Sequence, residues 1–200
     1  QSVRRMRGSP GSVIRLTIKR EGKAEFDVTM IRAIIKVRAV RWRTIDQIGY
    51  IRITRFSERV ESGVVKAFAA IRNKLGGEPS GIILDLRNNP GGLLDQALRV
   101  SDAFLTTGNI VSVIGRVNVD DRSFKADPEE IAGGIPLAVL INGSTASAAE
   151  IVSGALKDRG RAIVLGQHSF GKGSVQSIIP LSEGNGALRL TTSRYYLPSG

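Results

Sequence analysis

Ile82-Ile-Leu-Asp-Leu-Arg-Asn-Asn-Pro-Gly-Gly92 begins as an apolar strand and ends as a turn. Ile82 to Leu86 is a short run of the kind that is buried on both faces of a parallel sheet. Asn88 to Gly92 is turn chemistry, and the pattern after it predicts a helix from about Leu93 to Leu105. The same alternation extends in both directions. Upstream, Ile48-Gly-Tyr-Ile-Arg-Ile53 is a strand, and Glu58 to Leu75 is a helix because Val60, Val64, Val65, Phe68 and Ile71 recur at helical spacing. Gly76-Gly77 stops it. Downstream, Ile110 to Ile114 and Leu137 to Ile141 read as strands, Ser147 to Leu156 as a helix, and Ala162 to Leu165 as another strand, buried by its apolar content. Val175 to Pro180 and Ala187 to Tyr196 read as a terminal antiparallel pair around Glu183-Gly-Asn-Gly186. Repeated β-α units predict an α/β layer fold with right-handed crossovers.

The first forty residues follow another pattern. Val13 to Lys19 alternates apolar and polar residues, Glu21-Gly22-Lys23 is a hairpin turn, and Ala24 to Ile31 alternates again and pairs back on the first strand. A two-stranded ribbon buries too little to stand alone, so it is expected in a larger sheet or docked on the rest of the chain. This segment also carries most of the charge. Of a formal net charge of +11, residues 1–43 supply nine, with twelve Lys/Arg against three acids, and the rest of the chain is nearly neutral. A solvated basic face explains this better than nucleic acid, because no aromatic stacking platform lies near it. No apolar stretch approaches a membrane span, and none reads as a signal peptide.

The chain has no cysteine and one histidine, His168. Thiol catalysis, disulfides and cysteine zinc sites are excluded, and a Ser-His-Asp triad would have to run through His168. A serine and a lysine offer another route. Ser147 lies in Asn142-Gly-Ser-Thr-Ala-Ser-Ala-Ala-Glu150, a tight turn between a strand and a helix, where a hydroxyl is exposed and helix N-terminal amides suit an oxyanion. Ser144, Thr145 and Ser147 are equally good helix caps. Lys172 lies in His168-Ser-Phe-Gly-Lys-Gly-Ser-Val-Gln176. A free lysine is a poor base, since a reference pKa of about 10.4 leaves about one amine in 2,500 neutral at pH 7. A lysine base needs surroundings that disfavour its charge. Lys172 follows the apolar strand and is flanked by glycines, so its surroundings can close around it; a surface lysine on a Gly-rich loop is the alternative. Gly171-Lys172-Gly173-Ser174 is a poor match to a phosphate-binding loop. The amides of Gly91 and Gly92 could bind an anion, although turn geometry explains them as well.

Taken in order, these segments resemble the carboxyl-terminal processing, or tail-specific, proteases of the S41 serine peptidase family. The resemblance rests on Asp85 to Gly92, Gly143 to Glu150, Gly171 to Gln176, and Thr191-Thr-Ser-Arg-Tyr-Tyr-Leu-Pro-Ser-Gly200. It implies a ClpP/crotonase-like α/β core with Ser147 as nucleophile, Lys172 as general base and Gln176 as the side chain that orients the lysine. It also implies an oxyanion hole from the amide of Ala148 and a glycine amide, Gly92 or less favourably Gly91. Glu150 and Asp158 fall where the family has acidic residues and are read as supporting structure.

Family members carry a PDZ domain ahead of the core, and Val3 to Arg20 is similar to its last helix and strands. The resemblance thus implies a PDZ remnant at residues 1–40 and a protease core at 41–200, with the front of the PDZ domain ahead of Gln1 and further family sequence beyond Gly200. It implies a serine endopeptidase that cuts polypeptides near apolar C-termini and needs no metal or organic cofactor. The implied location is the periplasm or the outer face of the inner membrane, compatible with peripheral membrane association and a regulatory or adaptor protein. Nucleic acid is not an expected partner. A non-catalytic peptide-binding module on the same fold, with Ser147 a cap and Lys172 a loop residue, is the rival expectation.

Overall fold

The computed structural model of the protein describes residues 2–34, 38–116, 121–181 and 186–200. The chain divides into two compact units, Gln1–Arg38 and Ala39–Gly200.

In the first unit a short helix, α1 (Ser2–Met6), precedes the antiparallel strands β1 (Val13–Ile18) and β2 (Phe26–Ile31). Their register, Val13 opposite Ile31 and Ile18 opposite Phe26, is the hairpin expected from the alternation, with its turn at Glu21-Gly22. Arg32 fastens it to α1, donating to the Met6 carbonyl at 2.9 Å and to the Ser12 hydroxyl at 3.0 Å. Among the described residues these two strands pair only with each other, so the larger sheet, one of the two arrangements expected, is not formed.

The second unit holds two sheets. The first has the order β3-β4-β5-β8-β9, built from β3 (Val40–Ile45), β4 (Ile48–Ile53), β5 (Gly81–Asp85), β8 (Leu137–Ile141) and β9 (Ala162–Gly166). Only β3 is antiparallel to its neighbour; the others run parallel. The helices α2 (Val60–Leu75), α3 (Leu94–Asp102) and α4 (Ala148–Asp158) cover it, α2 against β3 and β4, α4 against β9, and α3 between the two helices. The second sheet is antiparallel, in the order β10-β11-β6-β7, from β6 (Asn109–Gly115), β7 (Arg122–Lys125), β10 (Ser174–Pro180) and β11 (Ala187–Tyr196). Ile51, Ile53, Leu84, Leu86, Val139 and the inner faces of the three helices form one apolar core.

The α/β class is the one predicted, and so are most of the elements. Strands β3 and β7 were not foreseen: two arginines break up the apolar residues of Val40-Arg-Trp-Arg-Thr-Ile45, and Arg122-Ser-Phe-Lys125 is a four-residue strand with a charge at each end. The strand Ala162 to Leu165 was expected to be buried, and it is not. It lies at the sheet edge, where Ile163 and Leu165 are 68% and 51% exposed. An apolar run of four residues has the same periodicity in the middle of a sheet as at its margin. The turn expected at Glu183 to Gly186 lies largely outside the described residues.

Candidate functional site

Parallel pairing of β5 with β8 brings their C-terminal ends to the same edge, so the turns that follow them meet there. This is where ligands bind in α/β sheets. Buried polar side chains lock the two turns together. Asn89, fully buried, donates from Nδ2 to the Ile53 carbonyl at 2.9 Å and accepts the Gly91 amide on Oδ1 at 2.9 Å. Its carbonyl accepts the Ala146 amide at 2.9 Å. Thr145, also buried, donates from its hydroxyl to the Leu86 carbonyl and accepts the Asn142 amide, both at 2.9 Å. Asn142 and Asn88 exchange two further bonds of 2.9 Å. Thr145 therefore ties two turns together instead of capping the helix.

This lattice holds Ser147 in an unusual backbone conformation, φ 57° and ψ −119°, at the N-cap of α4. A left-handed φ at a residue with a Cβ stores roughly 1–3 kcal/mol of strain and persists only where the surroundings over-determine it. A nucleophile on a sharp strand-to-helix turn has this character, its hydroxyl pushed out of the turn. Ser147 and Glu150 stand in a capping-box arrangement, with the Glu150 carboxylate accepting the Ser147 amide at 2.6 Å. The Glu150 amide donates in return to the Ser147 backbone carbonyl at 2.8 Å.

Glu150 does more than support its own helix. Beyond the Ser147 amide, it accepts the Ser169 hydroxyl at 2.6 Å and the amides of Gly171 at 2.6 Å and Lys172 at 2.9 Å. One carboxylate thus joins the serine turn to the lysine loop, and the Phe170 amide adds a 2.9 Å bond to the Thr145 carbonyl.

Ser147, Ala148, Lys172, Gln176 and Gly92 all line one cleft of about 270 Å³, with Leu93, Leu94, Ile151 and Val175 as its apolar wall. Lys172 is half-buried, not enclosed. Gln176 is exposed and follows a register shift in the β10–β11 pairing, a bulge of the kind that re-aims a side chain. Among the described residues no hydrogen bond joins Lys172 Nζ to Ser147 or to Gln176.

Of the two glycines, Gly91 has its amide committed to Asn89. The bridge between Phe56 and Gly92 uses the Gly91 carbonyl and the Leu93 amide, which leaves the Gly92 amide facing away from Phe56. Ala148 occupies the first helical position, where an amide has no intrahelical acceptor. The amides of Gly92 and Ala148 are therefore the pair open to an anion. His168 is exposed, and Asp158 accepts the amide and hydroxyl of Ser199, a structural role.

Below the site, Asp85 is fully buried at the end of β5. It accepts Arg87 Nε at 2.9 Å and Nη2 at 2.8 Å, the Arg87 amide at 2.9 Å and the Tyr50 hydroxyl at 2.5 Å. Burial pushes its carboxyl up, but the bonds from Arg87 and Tyr50 outweigh it and hold the pKa at about 2.

The strain at Ser147, the four bonds on Glu150 and the role of Asn89 were not read from the sequence. The capping-box spacing from Ser147 to Glu150 was a visible signal for Glu150. Residues 47–200 match the family described as Peptidase family S41. The chain belongs to this family. It is 51% identical over 202 residues to a carboxy-terminal-processing protease of Bartonella bacilliformis, an alignment that covers 100% of this chain and 46% of that protein. It is 36% identical over 203 residues to the chloroplastic carboxyl-terminal-processing peptidase 2 of Arabidopsis thaliana, covering 97% and 38%. Among solved structures, a photosystem II D1 C-terminal processing protease matches with a TM-score of 0.74 and 28% identity over 96% of this chain and 53% of that one. This S41 chain spans less than half the length of either curated relative.

Proposed function

We propose that this S41 chain carries the catalytic unit of a serine endopeptidase that cleaves polypeptides near their C-termini, with Ser147 as nucleophile and Lys172 as base. The observation that carries it is the Glu150 carboxylate, which binds the amide of Ser147 and the amide of Lys172 at once. A helix cap and a surface lysine have no need of that link.

In the proposed reaction Ser147 Oγ attacks the scissile carbonyl as its proton passes to Lys172 Nζ, which returns it to the leaving amine. The acyl-enzyme is then released by water activated in the same way. The carbonyl oxygen, negative in the tetrahedral intermediate, is taken by the amides of Ala148 and Gly92. Loss of one such donor costs about 3 kcal/mol of transition-state stabilisation. Gln176, at the cleft, would orient the lysine amine once substrate is bound. Leu93, Leu94, Ile151 and Val175 favour apolar side chains next to the cut. A periplasmic location is part of the same proposal and rests on the family resemblance; no helix among the described residues is long and apolar enough to cross a membrane.

The test is cleavage of an unfolded polypeptide with an apolar C-terminus by the wild type, Ser147→Ala and Lys172→Ala. Both substitutions should lower kcat by at least about 10⁴-fold, and the wild type alone should form a covalent acyl adduct visible by mass. Equal cleavage by all three would sink the assignment.

A further inference from the structure

The lysine loop has a second tether, and it is a side chain to which the proposed reaction gives no role. Tyr195 lies on β11, opposite Val113 of β6, and its ring packs against the apolar core. Its amide donates to the Gly173 carbonyl at 3.0 Å, and its phenol donates to the carbonyl of Lys172. The same side chain lines the cleft together with Ser147. The tyrosine therefore reaches both halves of the site from the second sheet, whereas Glu150 reaches them from α4.

We propose that Tyr195 is a positioning residue for the reaction, holding the backbone of Lys172 against the core so that its amine meets Ser147. This rests on the Ser147/Lys172 assignment above. A loop flanked by Gly171 and Gly173 has wide backbone freedom, and the Glu150 carboxylate fixes only its amide side. Tyr195 fixes the carbonyl side. With both sides held, the remaining freedom belongs to the lysine side chain. Burial pushes the phenol's pKa up, the Ser147 hydroxyl opposes this, and the Glu150 charge adds to it. The phenol accordingly stays neutral, and able to donate, across the ordinary pH range.

Tyr195→Phe keeps the ring and removes the donor. Displacement of a catalytic group by about 1 Å costs on the order of 10²-fold, so kcat should fall about ten- to a hundredfold with KM within about twofold, since substrate binding needs no proton transfer. Hydrogen exchange at the amides of Gly171 and Lys172 should quicken by a similar factor, with the melting temperature little changed. If Tyr195→Phe does not fold, 3-fluorotyrosine at position 195 keeps the shape while acidifying the phenol, and the alkaline limb of kcat should move to lower pH. Unchanged kcat and unchanged exchange overturn the proposal. A rise in KM at constant kcat also overturns it and assigns the phenol to substrate binding. If the wild type cleaves nothing, the serine protease assignment fails by itself; faster exchange in the variant would still support the tether, and unchanged exchange would remove it.

Discussion

The serine half and the lysine half of the cleft are built in opposite ways. Ser147 sits on a turn between two central elements, β8 and α4, and its neighbours Asn89 and Thr145 are buried and hydrogen-bonded on every side. Lys172 sits on a loop that leaves an edge strand, between two exposed glycines, and is held from outside by Glu150 and Tyr195. The proposed nucleophile and the amides proposed to bind the anion are therefore part of the packed core. The proposed base is attached to that core by two side chains, so its position can be altered without unfolding the protein.

Two glycines test this contrast directly, because both have a left-handed backbone, φ 92° at Gly91 and φ 87° at Gly171. A Cβ on Gly91 would lie 2.7 Å from the Ala146 carbonyl oxygen and 2.8 Å from Ser147 Cβ, whereas a Cβ on Gly171 would meet nothing within 4 Å. Gly91→Ala should have the largest effect of the changes that leave both proposed catalytic side chains in place. It should lower kcat/KM by about 10²–10³-fold, as loss of an oxyanion donor does, and should also lower the melting temperature.

Next comes Glu150→Gln, which keeps the shape but replaces one acceptor oxygen with a donor facing amides. Hydrogen bonds to a charged group contribute about 1.5–3 kcal/mol each. We expect a ten- to hundredfold drop in kcat, with the lysine loop becoming sensitive to limited proteolysis. An unchanged proteolysis pattern would show that Glu150 does not bridge the two halves.

Asp85, under the serine half, gives a pH signature. Its folded pKa of about 2 lies below the ordinary carboxylate value, so its contribution is complete above about pH 4 and is lost as the pH falls through about 2. That contribution amounts to roughly 2 kcal/mol. Asp85→Asn should flatten the acid limb of a stability curve measured by denaturant titration and lower stability at neutral pH by about that amount. A full acid limb in the variant would assign the titration elsewhere.

The smallest effect is expected for Gly171→Ala, where only backbone strain of about 1 kcal/mol applies. Cleavage should fall less than tenfold and stability hardly change. Equal losses in Gly91→Ala and Gly171→Ala would erase the distinction between the halves.

Much of this was legible in the amino-acid sequence. The strands from Ile48, Ile82 and Leu137 announce themselves by apolar content, and the residues that line the cleft stand in compact motifs. What was not legible depends on tertiary structure. Serine has no intrinsic preference for a positive φ, so the strain at Ser147 arises only once Asn89 and Thr145 fix the turns. Glu150 was read only as supporting structure, and its bridging place was hidden because three of its four bonds come from other segments of the chain. Tyr195 is one of two adjacent tyrosines, and sequence does not say which faces the cleft. Strand pairing decides that, just as it decides that Ile163 ends at an edge.

The left-handed backbone of Ser147 also sets two demands against each other at one position. Glycine adopts that conformation freely, so replacing the serine would relax the turn in the same step that removes the proposed nucleophile. On the proposed assignment, Ser147→Gly would silence cleavage while easing the backbone, so lost activity and lost stability would part company at this one position.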